Sequence, residues 1–291
     1  MISVLQLGTI DYPTGLRLQE QLVALRKDGR IGDALLLLEH TPVITLGRNA
    51  HAQNVLASPE FLAQRGVEVF ECNRGGDVTF HGPGQLVAYP IFDLRGFPSQ
   101  SPNRNSMGVI EFVRSLEEVL IRTCAEFGIP TKRISGLTGV WTTEEANGSG
   151  GDVGDESALN DRPAGESGIA PVEPSSAASE AKIAALGVHI SRGVTSHGIA
   201  LNVNTDLTFF KLIVPCGITS KPVTSIAKEL GREIPMQEVT DLLVRNFGKV
   251  FNSQILWLDS LDALLGNNLG VPMRVPDELS NLHGHDETTR G

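Results

Sequence analysis

The chain has 291 residues, a formal net charge of −10 and 41% hydrophobic residues, enough apolar surface for one large core or two small ones. No run approaches the roughly 20 apolar residues of a membrane span, and no basic stripe of the kind that tracks nucleic acid is present. Three cysteines, Cys72, Cys124 and Cys216, are too few for a disulfide framework, so free thiols and a reducing, cytoplasmic setting are expected.

The opening segment, MISVLQLGTIDYPTGL, has no basic region followed by a long apolar run, so no secretory signal is expected. Leu18, Leu22 and Leu25 repeat at helical spacing, which predicts an amphipathic helix over TGLRLQEQLVALRKDG, closed by Gly29. DALLLLEH is a continuous apolar run that suits a buried strand, and VITLG follows Pro42 as another. SPEFLAQRG predicts a short helix with Ser58 as N-cap and Pro59 at its first position. VEVFEC alternates, a glycine-rich loop intervenes, and LVAYPIFDL resumes as a strand. A long helix is expected over MGVIEFVRSLEEVLIRTCAEFG, with Ile110, Val113, Leu116, Val119 and Leu120 on one side.

Residues 143–181 break this pattern, with nine acids against the single base Arg162. Most of the net charge therefore belongs to one segment and says little about partners. Its Gly, Ser, Ala, Asp, Glu and Pro cannot bury enough apolar surface to offset ordering. It is expected to be a disordered insertion, without a catalytic role, between two strands. Strand signals return at KIAALGVHI and GVTSHGIALNV, DLTFFKLIVPCGI suits a short helix leading into a turn, and MQEVTDLLVRNFGKVF is a helix with Val239, Leu242, Leu243, Phe247 and Val250 on one face. The last residues, 281–291, form a polar tail.

Four features carry potential chemistry. The loop RGGDVTFHGPGQ (residues 74–85) is too glycine-rich for a helix or a plain strand. It is not a P-loop, because no Gly-Lys-Ser/Thr follows, nor a dinucleotide fingerprint, because a strand rather than a helix comes next. Metal-ligand spacing is absent around Cys72 and His81, and a wide hairpin rich in positive φ angles is the plain structural reading. Cys216 sits between Pro215 and Gly217, in a turn where a lowered pKa would make it a nucleophile; Cys124 and Cys72 suit inert packing. Lys182 begins a strand and by itself reads as solvated. His197 and Asn202 lie in SHGIALN, where a histidine is more often a structural hydrogen-bonding residue than a catalytic one.

Taken in order, LLEHTPVITLGR, RGGDVTFHGPGQLVAYPIFDL, TGVW, KIAALGVHISRGVTSHGIALNVNTDL and PCGI…VTSI resemble the lipoyl(octanoyl) transferases, the octanoyl-carrier-protein:protein N-octanoyltransferases of lipoate biosynthesis. The resemblance covers nearly the whole chain apart from the insertion and the tail. It implies an α/β (α+β) fold, a mixed-sheet catalytic domain like those of biotin and lipoate protein ligases with a small C-terminal subdomain, so that residues 1–280 form a single domain. By the same resemblance Cys216 attacks the thioester of octanoyl-acyl-carrier protein and forms an acyl-enzyme, and Lys182 lowers the cysteine pKa and shuttles protons. The acyl pocket is then lined by Arg74, Gly75, Gly76, Asp77, Val78, Thr79, Phe80 and His81, with Ala185, Leu186, Gly187, Gly198, Ile199 and Ala200. Arg74, His81 and Asn202 support the loop and the oxyanion. The loop would thus cradle an uncharged chain, its small residues letting backbone approach the acyl group.

The resemblance implies no cofactor and no metal. The acceptors it implies are the lipoyl domains of 2-oxoacid dehydrogenase E2 subunits and the glycine cleavage H protein, the acylation being the first committed step of protein lipoylation. A monomer without nucleic-acid or membrane partners is expected. The connection before the lysine strand is far longer here than the few residues usual in the family, and its acidity would weaken docking of an acidic carrier. Three alternatives stay open: an ATP-dependent lipoate or biotin ligase, whose adenylate chemistry needs no nucleophilic cysteine; a non-catalytic acyl-binding protein; and a metal protein using Cys216 with His81 and His197.

Overall fold

The computed structural model describes residues 1–143, 180–214 and 221–265. Its main feature is an eight-stranded mixed sheet. In chain order the strands of this sheet are β1 (Ile2–Ile10), β2 (Asp33–His40), β6 (Gln85–Ile91), β7 (Thr131–Ile134), β8 (Leu137–Thr142), β9 (Lys182–Ser191), β10 (Val194–Asn202) and β11 (Ile255–Trp257). They lie in the order β11-β1-β2-β6-β10-β9-β8-β7. The pairs β11·β1 and β1·β2 are parallel and the rest antiparallel. The remaining strands, β3 (Val43–Leu46), β4 (Glu68–Glu71) and β5 (Val78–His81), form a small second sheet in the order β4-β3-β5.

The unbroken leucine run of β2 has a simple cause: the strand is covered on both faces. Leu35 and Leu37 enter one core with helices α3 (Val109–Glu126) and α5 (Met236–Val250), while Leu36 and Leu38 enter a second core with helix α1 (Tyr12–Lys27). Successive side chains of a strand point to opposite faces. A third cluster joins Ile44, Val78 and Phe80 of the small sheet to Leu62 of helix α2 (Pro59–Gln64) and to Phe210 and Ile213.

Local signals set the helix starts. Asp11 caps α1 by accepting from Thr14 N at 2.8 Å, so the helix begins ahead of the expected TGL. Ser58 caps α2 through Phe61 N at 3.3 Å, with Pro59 in its first turn. In α3 the buried side is Phe112, Ser115, Leu116, Val119, Leu120, Thr123 and Cys124. Ile110, expected on the same side as Leu116, is 77% exposed. The first turn of the helix overhangs the core, and the buried stripe is phased on Phe112.

The glycine-rich loop also departs from expectation. Its centre, Val78–His81, is a true strand, β5, antiparallel to β3. It is not one arm of a hairpin, because the next strand, β6, belongs to the large sheet. The Gly82-Pro83-Gly84 corner hands the chain from one sheet to the other. The strands flanking the acidic insertion, β8 and β9, are antiparallel neighbours; the insertion's own residues 144–179 lie outside the described residues, as does the polar tail. The small C-terminal subdomain is built directly onto the sheet. Helix α5 packs on α3 in the first core, β11 lies against β1, and α4 (Ile226–Leu230) and α6 (Leu261–Leu265) complete it.

Candidate active site

A narrow cavity lies between the small sheet and the α1 side of the large sheet. Eleven of the fourteen expected pocket residues line it: Arg74, Gly76, Asp77, Thr79, His81, Ala185, Leu186, Gly187, Gly198, Ile199 and Ala200. The strand register explains the convergence, since Ala185, Leu186 and Gly187 of β9 sit directly opposite Ala200, Ile199 and Gly198 of β10. Val78 and Phe80 belong to the third cluster instead, because alternation along β5 turns only Thr79 and His81 towards the cavity. Gly75 acts through its backbone, donating to Val188 O at 3.0 Å and fastening the loop to β9.

The glycine of β10 serves packing between strands. A Cβ on Gly198 would stand 2.2 Å from Ala88 O and 2.6 Å from Pro90 Cδ of β6. The small residue is thus required by the neighbouring strand, not only by a ligand.

Arg74 is buried, and its fork is spent on its own loop and β3. Nη2 donates to Thr45 O at 2.6 Å and to Asp77 O at 2.7 Å, Nη1 to Gly75 O at 3.0 Å, and Nε to Thr45 Oγ1 at 3.1 Å. Asp77 fixes the other side of the loop, its carboxylate accepting from Asn54 Nδ2 at 2.6 Å and from His51 N at 3.3 Å. The charges of the loop build the wall of the cavity.

Four more residues line it: Tyr12, Val87 and Tyr89, which were not anticipated from sequence, and His197, which was singled out there only as a hydrogen-bonding or metal candidate. A signal for two of them existed. On the strand after the loop, Gln85, Val87 and Tyr89 share one face by strict alternation, and Gln85 opens that strand beside His81. Tyr12, the first residue of α1, stacks on His81 with ring centroids 6.4 Å apart and planes 6° apart. His197 has a positive φ of 54°, a strained conformation for a residue with a side chain. Its amide donates to Gln19 Oε1 at 2.6 Å and its Nε2 to Asn73 Oδ1 at 2.6 Å.

The histidines and tyrosines around the cavity are neutral. Burial holds the imidazoles of His40 and His197 at about 4 and that of His81 at about 3, and it pushes the phenols of Tyr12 and Tyr89 above their ordinary value. His40 Nδ1 faces the carbonyl of Ile10 at 3.0 Å and therefore carries the proton, so its Nε2 accepts from the Tyr89 hydroxyl at 2.7 Å. Neutral rings suit an uncharged occupant.

At one end the cavity runs into a smaller hollow that shares Thr79, Ala185 and Ala200 with it and adds Gln85, Asn202, Phe210, Val223 and Lys182. Lys182 is not solvated; it is 7% exposed, and its Nζ lies 5.0 Å from the centroid of the Trp141 ring. A chain of hydrogen bonds ties this end to the loop. His81 Nδ1 donates to Gln85 Oε1 at 2.6 Å, and Gln85 Nε2 to Asn202 Oδ1 at 2.9 Å. Asn202 Nδ2 in turn donates to Thr224 O at 2.9 Å. Thr224 N then donates to Lys182 O at 2.9 Å, and Lys182 N to Pro222 O at 2.8 Å. Asn202 thus connects the loop to the lysine backbone.

Cys216 lies outside the described residues. Both flanks of its segment are fixed at the site: Val214 N donates to Asn54 O at 2.7 Å, and Pro222 and Thr224 bond to Lys182. Of the other cysteines, Cys124 is fully buried and its thiol is pushed up to about 12 by burial. Cys72 is half-buried and donates to Leu46 O at 3.4 Å. No helix among the described residues is long and apolar enough to cross a membrane.

A mixed sheet with a narrow cavity against a second small sheet, and a buried lysine in an adjoining hollow, defines an α/β protein with an enclosed site. The description "Lipoyl protein ligase A/B catalytic domain" matches residues 11–248. An octanoyltransferase of Koribacter versatilis is 55% identical over 286 residues, 98% of each chain. One of Acidobacterium capsulatum is 52% identical over 267 residues, 91% of this chain and 96% of the relative. The chain belongs to the lipoyl protein ligase A/B catalytic-domain family, among its octanoyltransferases. The fold is shared with a bipartite lipoate protein ligase of Thermoplasma acidophilum, at 15% identity and a TM-score of 0.58 over 97% of this chain and 89% of that one. It is shared equally with lipoate-protein ligase A bound with ATP, at 14% identity and a TM-score of 0.58 over 97% and 91%.

Proposed function

We propose that this protein is an acyltransferase that moves an octanoyl group from octanoyl-acyl-carrier protein to a lysine of lipoyl domains, with Cys216 as nucleophile and Lys182 as its proton-transfer partner. The observation that carries the reading is the buried Lys182 in the hollow adjoining the cavity, its backbone bonded to Pro222 and Thr224, a few residues after Cys216 in the sequence.

The chemistry follows from these parts. An ammonium beside the thiol favours the thiolate. The thiolate attacks the donor's thioester carbonyl, the bond from that carbon to the carrier's sulfur breaks, and the leaving sulfur takes a proton from Lys182. The octanoyl chain is then held as a thioester on Cys216, its tail between β9, β10 and the Arg74–His81 segment. The amine of the lipoyl-domain lysine attacks next, the thioester bond to Cys216 breaks, and the now neutral Lys182 accepts the proton lost by the amine. One thioester replaces another in the first half, and formation of the amide drives the second. Acceptors of this class are the lipoyl domains of 2-oxoacid dehydrogenase E2 subunits and the glycine cleavage H protein. The enzyme acts as a cytoplasmic monomer, without cofactor.

The test is transfer to a purified lipoyl domain from two donors in parallel, octanoyl-carrier protein without ATP and free octanoate with ATP. Modification from the first alone is expected. Modification from the second alone would mean that the protein shares the chemistry of its ATP-binding structural neighbour as well as the fold.

A further inference from the structure

The geometry around Lys182 comes from the TGVW stretch of β8, which the reaction above leaves without a role. We propose that Trp141 and Gly139 are positioning residues that hold the Lys182 side chain in a slot facing the acyl cavity; this rests on the reading of Lys182 as the proton-transfer group.

Lysine carries its charge on a flexible four-carbon stem, so a catalytic lysine needs its rotamers restricted from outside. The slot does this from two sides. Trp141 is the cross-strand partner of Lys182 in the β8·β9 pair, is 1% exposed, and presents its ring face 5.0 Å from Nζ, a cation–π distance. The indole N–H has no hydrogen-bond partner among the described residues. The face of the ring, not its polar edge, is what the site uses. Gly139 forms the other side. A Cβ there would lie 2.5 Å from Lys182 Cε and 3.4 Å from Nζ, and the residue has φ +137°. Only a glycine leaves the stem its path.

The slot is anchored from behind. Glu117 of α3, fully buried, accepts from Gly139 N at 3.3 Å and pairs with Arg114 at 2.7 Å and Arg133 at 3.1 Å. Two more lysines adjoin the same indole. Lys132 is its cross-strand partner from β7, and Lys221 has its Nζ 5.8 Å from the ring centroid. Glu180 binds both, Lys132 at 2.5 Å and Lys221 by a short contact. Their ammonium groups are thereby drawn to Glu180, while Lys182 lines the hollow that continues the cavity.

The experiment measures single-turnover octanoylation of the full chain by octanoyl-carrier protein, by intact mass. It compares wild type, Trp141→Phe, Trp141→Leu and Gly139→Ala, each with and without Lys182→Ala. Trp141→Leu and Gly139→Ala are expected to slow acylation by about tenfold or more with the donor KM within about twofold, and Trp141→Phe, which keeps an aromatic face, to stay within about threefold of wild type. On the Lys182→Ala background neither substitution slows the residual rate further, because both act through the missing side chain. Losses that add in full there overturn the proposal. A wild-type rate for Lys182→Ala itself is a different result and overturns the role of the lysine. A second readout needs no turnover: the labelling rate of Lys182 by a small amine-directed acylating probe, followed by peptide mass. Trp141→Leu should raise it at least about threefold as the stem is freed, and Gly139→Ala as the added Cβ displaces the stem from the slot; an unchanged rate contradicts the slot.

Discussion

At Lys182 the strand β9 opens beside a small hollow, and at Gly187, five residues on, it packs against the backbone of Gly75 and the side chain of Arg74. The first end is organised by side chains: a ring under the ammonium, a glutamine, an asparagine and a threonine passing hydrogen bonds from His81 to the lysine backbone. The second end is organised by backbone. Strands meet across Gly198 at a distance no side chain tolerates, and Arg74 spends its fork on the carbonyls of Thr45, Gly75 and Asp77. The difference separates two tasks. Substitutions at the lysine end should change how fast the chemistry runs, and substitutions at the glycine end should change whether the cavity exists.

The largest expected effect is at the lysine. Lys182→Ala should lower octanoyl transfer by about a thousandfold with little change in donor KM, the scale of a lost acid–base group; a main effect on KM would collapse the distinction. Next is Gly198→Ala, whose Cβ meets the backbone of β6 and cannot be relieved by a side-chain rotation. A loss of about 3 kcal/mol or more is expected in denaturant unfolding, and a stable variant with a normal KM would show that the strands do not need their close approach.

Acid should act on the buried histidines. His40, His81 and His197 titrate near 4, 3 and 4 in the folded protein against an ordinary value of 6.5. As the pH falls, the unfolded chain takes up these protons first. The stability present above about pH 6.5 is therefore lost on the way down towards pH 3, by up to about 1.4 kcal/mol per pH unit for each histidine. Chemical denaturation at a series of pH values checks this, and a midpoint flat from pH 7 to 4.5 would contradict the buried neutral rings. Arg74→Lys comes fourth. A point charge cannot make the four bonds of the fork, and a rise of about fivefold in donor KM at nearly constant kcat is expected from steady-state kinetics. The smallest effect is Ile110→Ser. This residue is 77% exposed, so thermal unfolding should show a change within about 0.5 kcal/mol.

That last position marks where sequence reading failed. Ile110 and Phe112 fit helical stripes of different phase, and nothing local says which one the sheet will cover. The element types were legible because the leucine run of β2, the serine and proline before α2 and the spacing of Val239, Leu243 and Phe247 are local signals. The cavity was legible mostly through family resemblance, which marked contiguous segments, whereas a strand offers only alternate side chains; Val78 and Phe80 fall on the other side for that reason. Tyr12 and His197 reach the site through the packing of α1 on the sheet and a positive φ in mid-strand, neither of which a periodic pattern encodes. The neutral state of three histidines depends on burial by elements distant in the chain.

The central claim is that an acyl group rests on Cys216 between two transfers. The most direct test is the intact mass of the full chain after mixing with octanoyl-carrier protein, for wild type and Cys216→Ser. One octanoyl group on the wild type, discharged when a lipoyl domain is added, and no thioester adduct on the variant is the predicted result. A lipoyl domain octanoylated at the wild-type rate by Cys216→Ser would contradict the account.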